Sequence, residues 1–384
     1  MKQSLPFLFF LTTFFHSQVI KDSILGNPKF VKESVVFLND AGPYTFMRGD
    51  DEYGHATIMK PKNLRESMRN SWFQTYFCRY INNETYYDIN RNITREIWYY
   101  RSGEIVDEYI NTYDHLNRLT AQITKNKYSE KNSRYFYEGS KKKVKFSELY
   151  YKRRDEPGEK IINNWESFNP LFITKFDTLS KTDSIFAVTN DIWKAVGNGG
   201  YSRGKDSIYH KKLSRVKIYD SQYRVVEEKF FEHENDLQNK KIYLTGHFKY
   251  EYDEFGNIIK RTSIKDGKFY SYIILGNGKM IKEEKNGDSE KNSYTIYVYT
   301  KDQKLEKETS YYQDRLSYER KFEYKGNYIT RLIYLDKPAL DDKIIEPVII
   351  NFRYKFDKQN NWTEIIKNVS GKDLYKWIRK IEYY

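Results

Sequence analysis

The stretch from Phe248 to Ser263 admits few folds. Phe-Lys-Tyr-Glu-Tyr-Asp runs into Glu254-Phe255-Gly256-Asn257, and Ile258-Ile259-Lys260-Arg261-Thr262-Ser263 follows. Phe248, Tyr250 and Tyr252 alternate with Lys249, Glu251 and Asp253, the period of two that puts aromatics on one sheet face and charges on the other. A half-buried strand is expected. Asp253 is placed to cap a turn while Gly256 or Asn257 takes a positive φ, so the chain reverses into Ile258. Copies of this unit elsewhere predict an all-β fold: an elongated array of antiparallel β-hairpins forming a meandering sheet, with one or two short helices in irregular segments.

The copies are degenerate but legible. Tyr113-Asp114-His115-Leu116-Asn117-Arg118-Leu119-Thr120 keeps the Tyr-Asp start, a turn-forming Asn117 and an apolar restart. Ile218-Tyr219-Asp220 with Val225-Val226 is another, and Phe352-Arg353-Tyr354-Lys355-Phe356-Asp357 with Asn360-Asn361-Trp362 is the closest copy. Ile273 to Ile281 turns on Gly276-Asn277-Gly278, Tyr297 to Leu305 keeps Tyr and loses Asp, and Phe322 to Ile329 is shortened. An earlier hairpin turns at Arg101-Ser102-Gly103. Spacings drift between about 20 and 35 residues, so loops vary while the hairpin persists.

These Tyr-Asp units resemble the YD repeats of Rhs and teneurin-type proteins, and more closely the short secreted YD-like repeat proteins of Bacteroidetes. The resemblance covers roughly Tyr109 to Tyr128 and Val216 to Ile366. It implies long antiparallel β arrays, which in large members wrap into a hollow shell. This chain is far shorter than those members and shows no self-cleaving core or toxin after the repeats. The resemblance therefore implies a fold and little chemistry.

Residues 1–17 read as a secretory signal, because Lys2 precedes an apolar run from Leu5 to Phe15 and Ser17 precedes Gln18. The run is shorter than the roughly 20 residues of a membrane span. Secretion, or retention in the periplasm or cell envelope, is expected after cleavage near Ser17 and Gln18. The chain divides into 18–138, a β region with the first repeats; 139–200, an irregular insertion or degenerate repeats; and 201–384, the YD-like hairpins. Asn63 to Arg69 is expected as two helical turns after Pro61, with strand-like composition from Ser71 to Tyr87. Asp191 to Val196 is expected as a short helix stopped by Gly197.

Composition narrows the chemistry. The 66 basic and 53 acidic residues give a formal net charge of +13, but they are mixed along the strands instead of forming a basic groove. Such a balance keeps a sheet soluble and blunts its edges, and no specific nucleic-acid partner is expected. The single cysteine, Cys78, cannot form an intramolecular disulfide, and among Tyr76, Phe77 and Tyr80 it reads as a buried inert thiol. His55, His115, His210, His233 and His247 show no ligand spacing. Arg48-Gly49-Asp50 matches a tripeptide used by some integrin ligands, a match expected by chance. Asp50, Asp51, Glu52 and His55 read as a solvated acidic loop, since no further His or Cys completes a metal shell. Asp341-Asp342 and Glu283-Glu284 read as the charge pairs that charged sheets produce. No residue is assigned as catalytic, cofactor-binding or metal-ligating, and no cofactor is expected. The sequence favours a secreted or envelope binding or structural module for a glycan or a protein. The alternative is a secreted hydrolase with its site in 139–200.

Overall fold

The computed structural model describes residues 24–38, 61–78, 82–100, 102–126, 129–153, 169–196, 200–233, 242–252, 258–264, 269–275, 279–285, 293–302, 304–312, 315–337 and 346–384. The leader at 1–17, the Arg48-Gly49-Asp50 tripeptide, the acidic loop to His55, the turns holding Gly256 and Gly276-Asn277-Gly278, and Asp341-Asp342 lie outside the described residues.

The described residues form one helix and a 22-stranded antiparallel sheet. Strand β1 (Pro28–Phe37) precedes α1 (Pro61–Gln74); then come β2 (Asn82–Tyr87), β3 (Ile93–Tyr99), β4 (Ile105–Tyr113), β5 (Leu119–Asn126) and β6 (Ser129–Tyr137). The middle of the chain gives β7 (Val144–Arg153), β8 (Asn169–Asp177), β9 (Thr182–Val196), β10 (Gly200–Tyr219), β11 (Val225–His233), β12 (Ile242–Tyr252) and β13 (Ile258–Ser263). After these lie β14 (Phe269–Leu275), β15 (Lys279–Lys285), β16 (Ser293–Tyr299), β17 (Leu305–Tyr312) and β18 (Arg315–Lys325). The last four are β19 (Tyr328–Asp336), β20 (Val348–Phe356), β21 (Trp362–Val369) and β22 (Lys372–Tyr383).

Each strand from β2 to β21 pairs with the next in sequence, as in the stretch from Phe248 to Ser263, where Phe248 faces Ser263 and Tyr250 faces Arg261. Short as the chain is, its ladder returns to its first strand. β1 pairs with β2 on one side, Glu33 opposite Asn83, and with β22 on the other, Glu33 opposite Arg379. A ladder that meets itself has no end strand, but among the described residues the β9–β10 hairpin runs past its neighbours, since β8 pairs with β9 only as far as Ala187 and β11 with β10 only from Arg215.

The repeat has a physical explanation in its turns. In the turn at Asp114, the Asp114 amide donates to the Arg118 carbonyl, and the Asn117 amide donates back to Asp114 O. The Asp114 carboxylate accepts from the Leu116 and Arg118 amides at 2.9 and 3.0 Å. The fourth residue then takes a left-handed conformation, φ 57° at Asn117. The same pattern recurs at Asp220, with Tyr223 at φ 60°, and at Asp357, with Asn360 at φ 63°. This is a three-residue loop whose left-handed residue matches a one-residue bulge, seen as a register shift just before the turn, between Thr112 and Tyr113 for example. The turn at Tyr87-Asp88 belongs to the same class, with Arg91 at φ 66° and an apolar restart at Ile93, a further Tyr-Asp unit ahead of the stretch from Tyr109 to Tyr128.

Tyrosine links one hairpin to the one before it. The Tyr113 hydroxyl donates to Ile93 O at 3.0 Å, Tyr137 to Leu119 O at 2.8 Å, Tyr252 to Val225 O at 2.6 Å, and Tyr324 to Leu305 O at 2.7 Å. Each acceptor is the first strand residue after the preceding hairpin's turn. The last turn residue stacks on the same ring: Arg118 lies 4.5 Å from the Tyr137 centroid and Arg224 4.7 Å from Tyr252. At Tyr113-Asp114 the tyrosine joins neighbouring hairpins while the aspartate closes its own, and at Tyr219-Asp220 the hydroxyl reaches the preceding hairpin through the Asp183 carboxylate instead.

Two sequence expectations need correction. Asp191 to Val196 is not helical; it extends β9 and pairs with Gly200 to Lys205, since a cross-strand partner supplies every backbone group a helix would have satisfied internally. Ser71 to Gln74 belongs to α1 and not to a strand. The segment from Pro61 to Gln74 has no glycine and no β-branched residue, and Pro61 sits at its first position, so helix propensity persists to Gln74. The described part of 139–200 is sheet, formed by β7, β8, β9 and the first residue of β10.

The core gathers under α1. Trp72 stacks edge-on against Trp377 at 5.2 Å and lies 6.3 Å from Tyr375, while Phe73 lies 5.3 Å from Phe352. Ile329, Leu332, Ile350 and Ile365 are fully buried in the same cluster. Just past the helix, Tyr76 rests on Tyr334.

Candidate functional site

The sheet face under α1 holds charges as well as aromatics. Val31, Glu33 and Val35 alternate inward on β1, and Tyr375, Trp377 and Arg379 do so on β22. Arg379 and Glu33 are therefore paired by register and form a buried ion pair, Nε to Oε1 at 2.6 Å, with the guanidinium stacked 3.5 Å from the Trp362 centroid. A buried pair of this kind is sensitive to loss of either partner, because the survivor is left uncompensated. On β3, Glu96 accepts from Trp98 Nε1 at 2.7 Å and pairs with Arg65 of α1. Burial raises the Glu96 pKa above the usual carboxylate range, with the Arg65 charge opposing it.

Between these two pairs lies a recess of about 270 Å³. Its floor comes from Val31 and Glu33 of β1 and from Asn83, Thr85 and Tyr87 of β2, with Arg65 and Arg69 of α1 and Arg91 of the Asp88 turn around it. Arg65 and Arg69 are four residues apart and thus share a helix face. Asn83 is 2% exposed, and its Oδ1 is buried without a hydrogen-bond partner. Burial, followed by the Glu33 charge, pushes the Tyr87 hydroxyl up to about 12, so it stays a neutral donor at neutral pH. The recess can receive a ligand that both donates and accepts hydrogen bonds.

A second buried group lies beyond α1. Lys367 of β21 is fully enclosed, and its Nζ donates to Trp72 O at 2.7 Å and Phe77 O at 2.6 Å, holding the end of the helix. Burial lowers its pKa to about 7. Cys78 is buried, and burial raises its thiol to about 12, the inert thiol that its aromatic neighbourhood suggested.

The structure does not bring the described histidines together. His233 Nε2 lies 2.7 Å from Leu213 O and His247 Nε2 lies 2.7 Å from Glu227, while His210 is exposed and His115 sits in the Asp114 turn. His55 lies outside the described residues, as do the side chains of Glu283 and Glu284. In the 139–200 segment, Asp183 binds Lys143 at 2.9 Å and accepts from the Tyr219 hydroxyl at 2.5 Å. No group of three or more potential metal ligands occurs among the described residues.

Sequence reasoning missed the recess. Its one available signal was Glu33, an acid in phase with Val31 and Val35 inside a β-branched run. A carboxylate at an inward position requires a partner, and that partner, Arg379, lies 346 residues away.

No family model and no curated protein matches this chain. Among solved structures, the chain is similar to the TcdB2-TccC3-Cdc42 complex at 10% identity and a TM-score of 0.23, covering 77% of this chain and 19% of that one. It is similar to the Photorhabdus luminescens Tc holotoxin pore at 10% identity and a TM-score of 0.20, with the same coverage. It is also similar to a porin-like protein from Bacteroides uniformis at 10% identity and a TM-score of 0.19, covering 92% of this chain and 98% of that one. The chain spans 19% of the length of the toxin chains it matches. No helix among the described residues is long and apolar enough to cross a membrane.

Proposed function

We propose that this chain is an exported β-repeat protein of the cell envelope or its surroundings, a non-enzymatic module that binds a glycan or protein partner. The observation that carries the binding reading is the recess beside α1, where the buried Asn83 Oδ1 has no partner inside the protein. A buried acceptor left unpaired costs about 1–3 kcal/mol, a cost that a bound donor relieves. The charges around it support binding over chemistry. Glu33 and Glu96 are held by Arg379 and Arg65. Export rests on the basic start and apolar run of residues 1–17.

The test is retention of the pure protein on a glycan and protein array, run beside a broad hydrolase panel. Retention without product release is the expected outcome. Turnover of a panel substrate, lost on substitution within 139–200, would replace this reading with the hydrolase one.

A further inference from the structure

The recess beside α1 is lined by apolar, neutral polar and charged residues. Ile24, Pro28, Val31 and Ile93 are its apolar lining. Glu33 and Asn83 face each other across β1 and β2 in a polar row, Tyr87 stands four residues farther along β2, and Asn83 Oδ1 accepts nothing. Arg91 stands exposed among the lining residues, and its guanidinium donates at 2.7 Å to the Ile24 carbonyl, a neutral partner that leaves the charge uncompensated.

These groups constrain the occupant. At about 270 Å³ the space falls just under the roughly 300–1,000 Å³ of sites that hold drug-sized ligands, so a single sugar-sized ring fills it. The uncompensated guanidinium calls for an anion, and Arg matches a planar carboxylate bidentately. The orphan acceptor calls for a hydroxyl or amine donor, which a simple carboxylate lacks. The apolar lining suits the C–H face of a ring.

We propose that the recess binds an acidic monosaccharide unit of the uronate type, its carboxylate toward Arg91 and a ring hydroxyl donating to Asn83 Oδ1. This rests on the binding function proposed above and names the ligand class for it. Tyr87, kept neutral by its surroundings, supplies a second hydrogen-bonding group to the ring. The Glu33–Arg379 pair positions the row by fixing β1 against β22.

Calorimetric titration of the purified full chain with glucuronate, glucose and acetate tests this. Glucuronate is expected to bind, with glucose and acetate each weaker by about tenfold or more, since each lacks one of the two charge and hydroxyl elements. Arg91→Asn should bring glucuronate down to the level of glucose. Asparagine tolerates the left-handed φ of 66° at this turn position, so an unchanged melting midpoint would separate lost binding from lost folding. Acetate binding as tightly as glucuronate would overturn the proposal, because it would reduce the site to anion capture. Glucuronate affinity unchanged in Arg91→Asn would overturn it too, placing the sugar elsewhere. Array retention of a neutral glycan by a chain that ignores glucuronate would defeat the uronate assignment while leaving the broader binding function standing.

Discussion

Two regions of the sheet share their turns and differ in what covers them. From β17 through β22 and on to β4, the sheet carries α1, and its buried residues include Trp72, Trp98, Trp362, Trp377, Leu332 and Ile350. From β5 to β13, the buried apolar residues among those described are Ile173, Phe176 and Val188, and every residue of β5 is half-buried. Yet the Asp114 and Asp220 turns of the second region have the hydrogen bonds of the Asp357 turn in the first. Hairpin formation is therefore local, closed by a carboxylate and a left-handed residue. Burial is not local, since it depends on where a second layer lies. Neighbouring hairpins joined by a tyrosine hydroxyl behave as a one-dimensional stack, while the region under α1 is a core in the ordinary sense.

The largest test of this difference compares Trp72→Ala with Phe248→Ala. Trp72 is fully buried, and its removal should cost about 4 kcal/mol. Phe248 is half-buried against Phe230 and under Arg261, and should cost about 1 kcal/mol. Chemical denaturation gives both numbers, and equal losses would dissolve the distinction between core and stack.

The next effect belongs to Lys367. In the folded chain its pKa is lowered to about 7 from 10.5, so between these values the unfolded state holds one more proton. Stability therefore rises with pH across that window and carries the full burial cost below it. The rise should reach a few kcal/mol, each pKa unit being worth about 1.4 kcal/mol. Denaturant midpoints at pH 7 and pH 9 should increase in the native chain and lie closer together in Lys367→Met. A native midpoint that stays level over this range would show that the ammonium, held by Trp72 O and Phe77 O, stays charged, because the folded and unfolded states would then bind equal numbers of protons.

Smaller still is the tyrosine ladder. Tyr252→Phe in the uncovered region and Tyr324→Phe beside the core should each cost about 1 kcal/mol, the net worth of one hydrogen bond. Similar losses would show that the link is local to two hairpins, whereas a loss confined to Tyr324→Phe would tie it to the core. The smallest effect is expected at Asn117, already at φ 57°, where glycine should change the unfolding free energy by no more than about a few tenths of a kcal/mol. A drop of over about 1 kcal/mol would assign Asn117 a side-chain role, and its Oδ1 does accept from Asn92 Nδ2 at 3.0 Å.

By itself, the sequence determined the all-β class, the antiparallel hairpins of its Tyr-Asp units and the turns at Asp114, Asp220 and Asp357. The reason is range: alternation such as Phe248, Tyr250, Tyr252 and a capping Asp114 with Asn117 three residues on act within a few residues, where spacing and side-chain chemistry leave one outcome. It misled at Asp191 to Val196, where a helix-like composition yielded to a partner strand, and it ended the helix too early at Arg69. The tertiary structure decided the rest. That β1 lies between β2 and β22, that α1 covers one region and not the other, and that Glu33, Asn83 and Arg379 stand in one row all depend on residues about 50 to 346 positions apart. Which distant strands meet is settled by total burial and by the pairing of inward charges, and neither quantity is written in any local stretch of the chain.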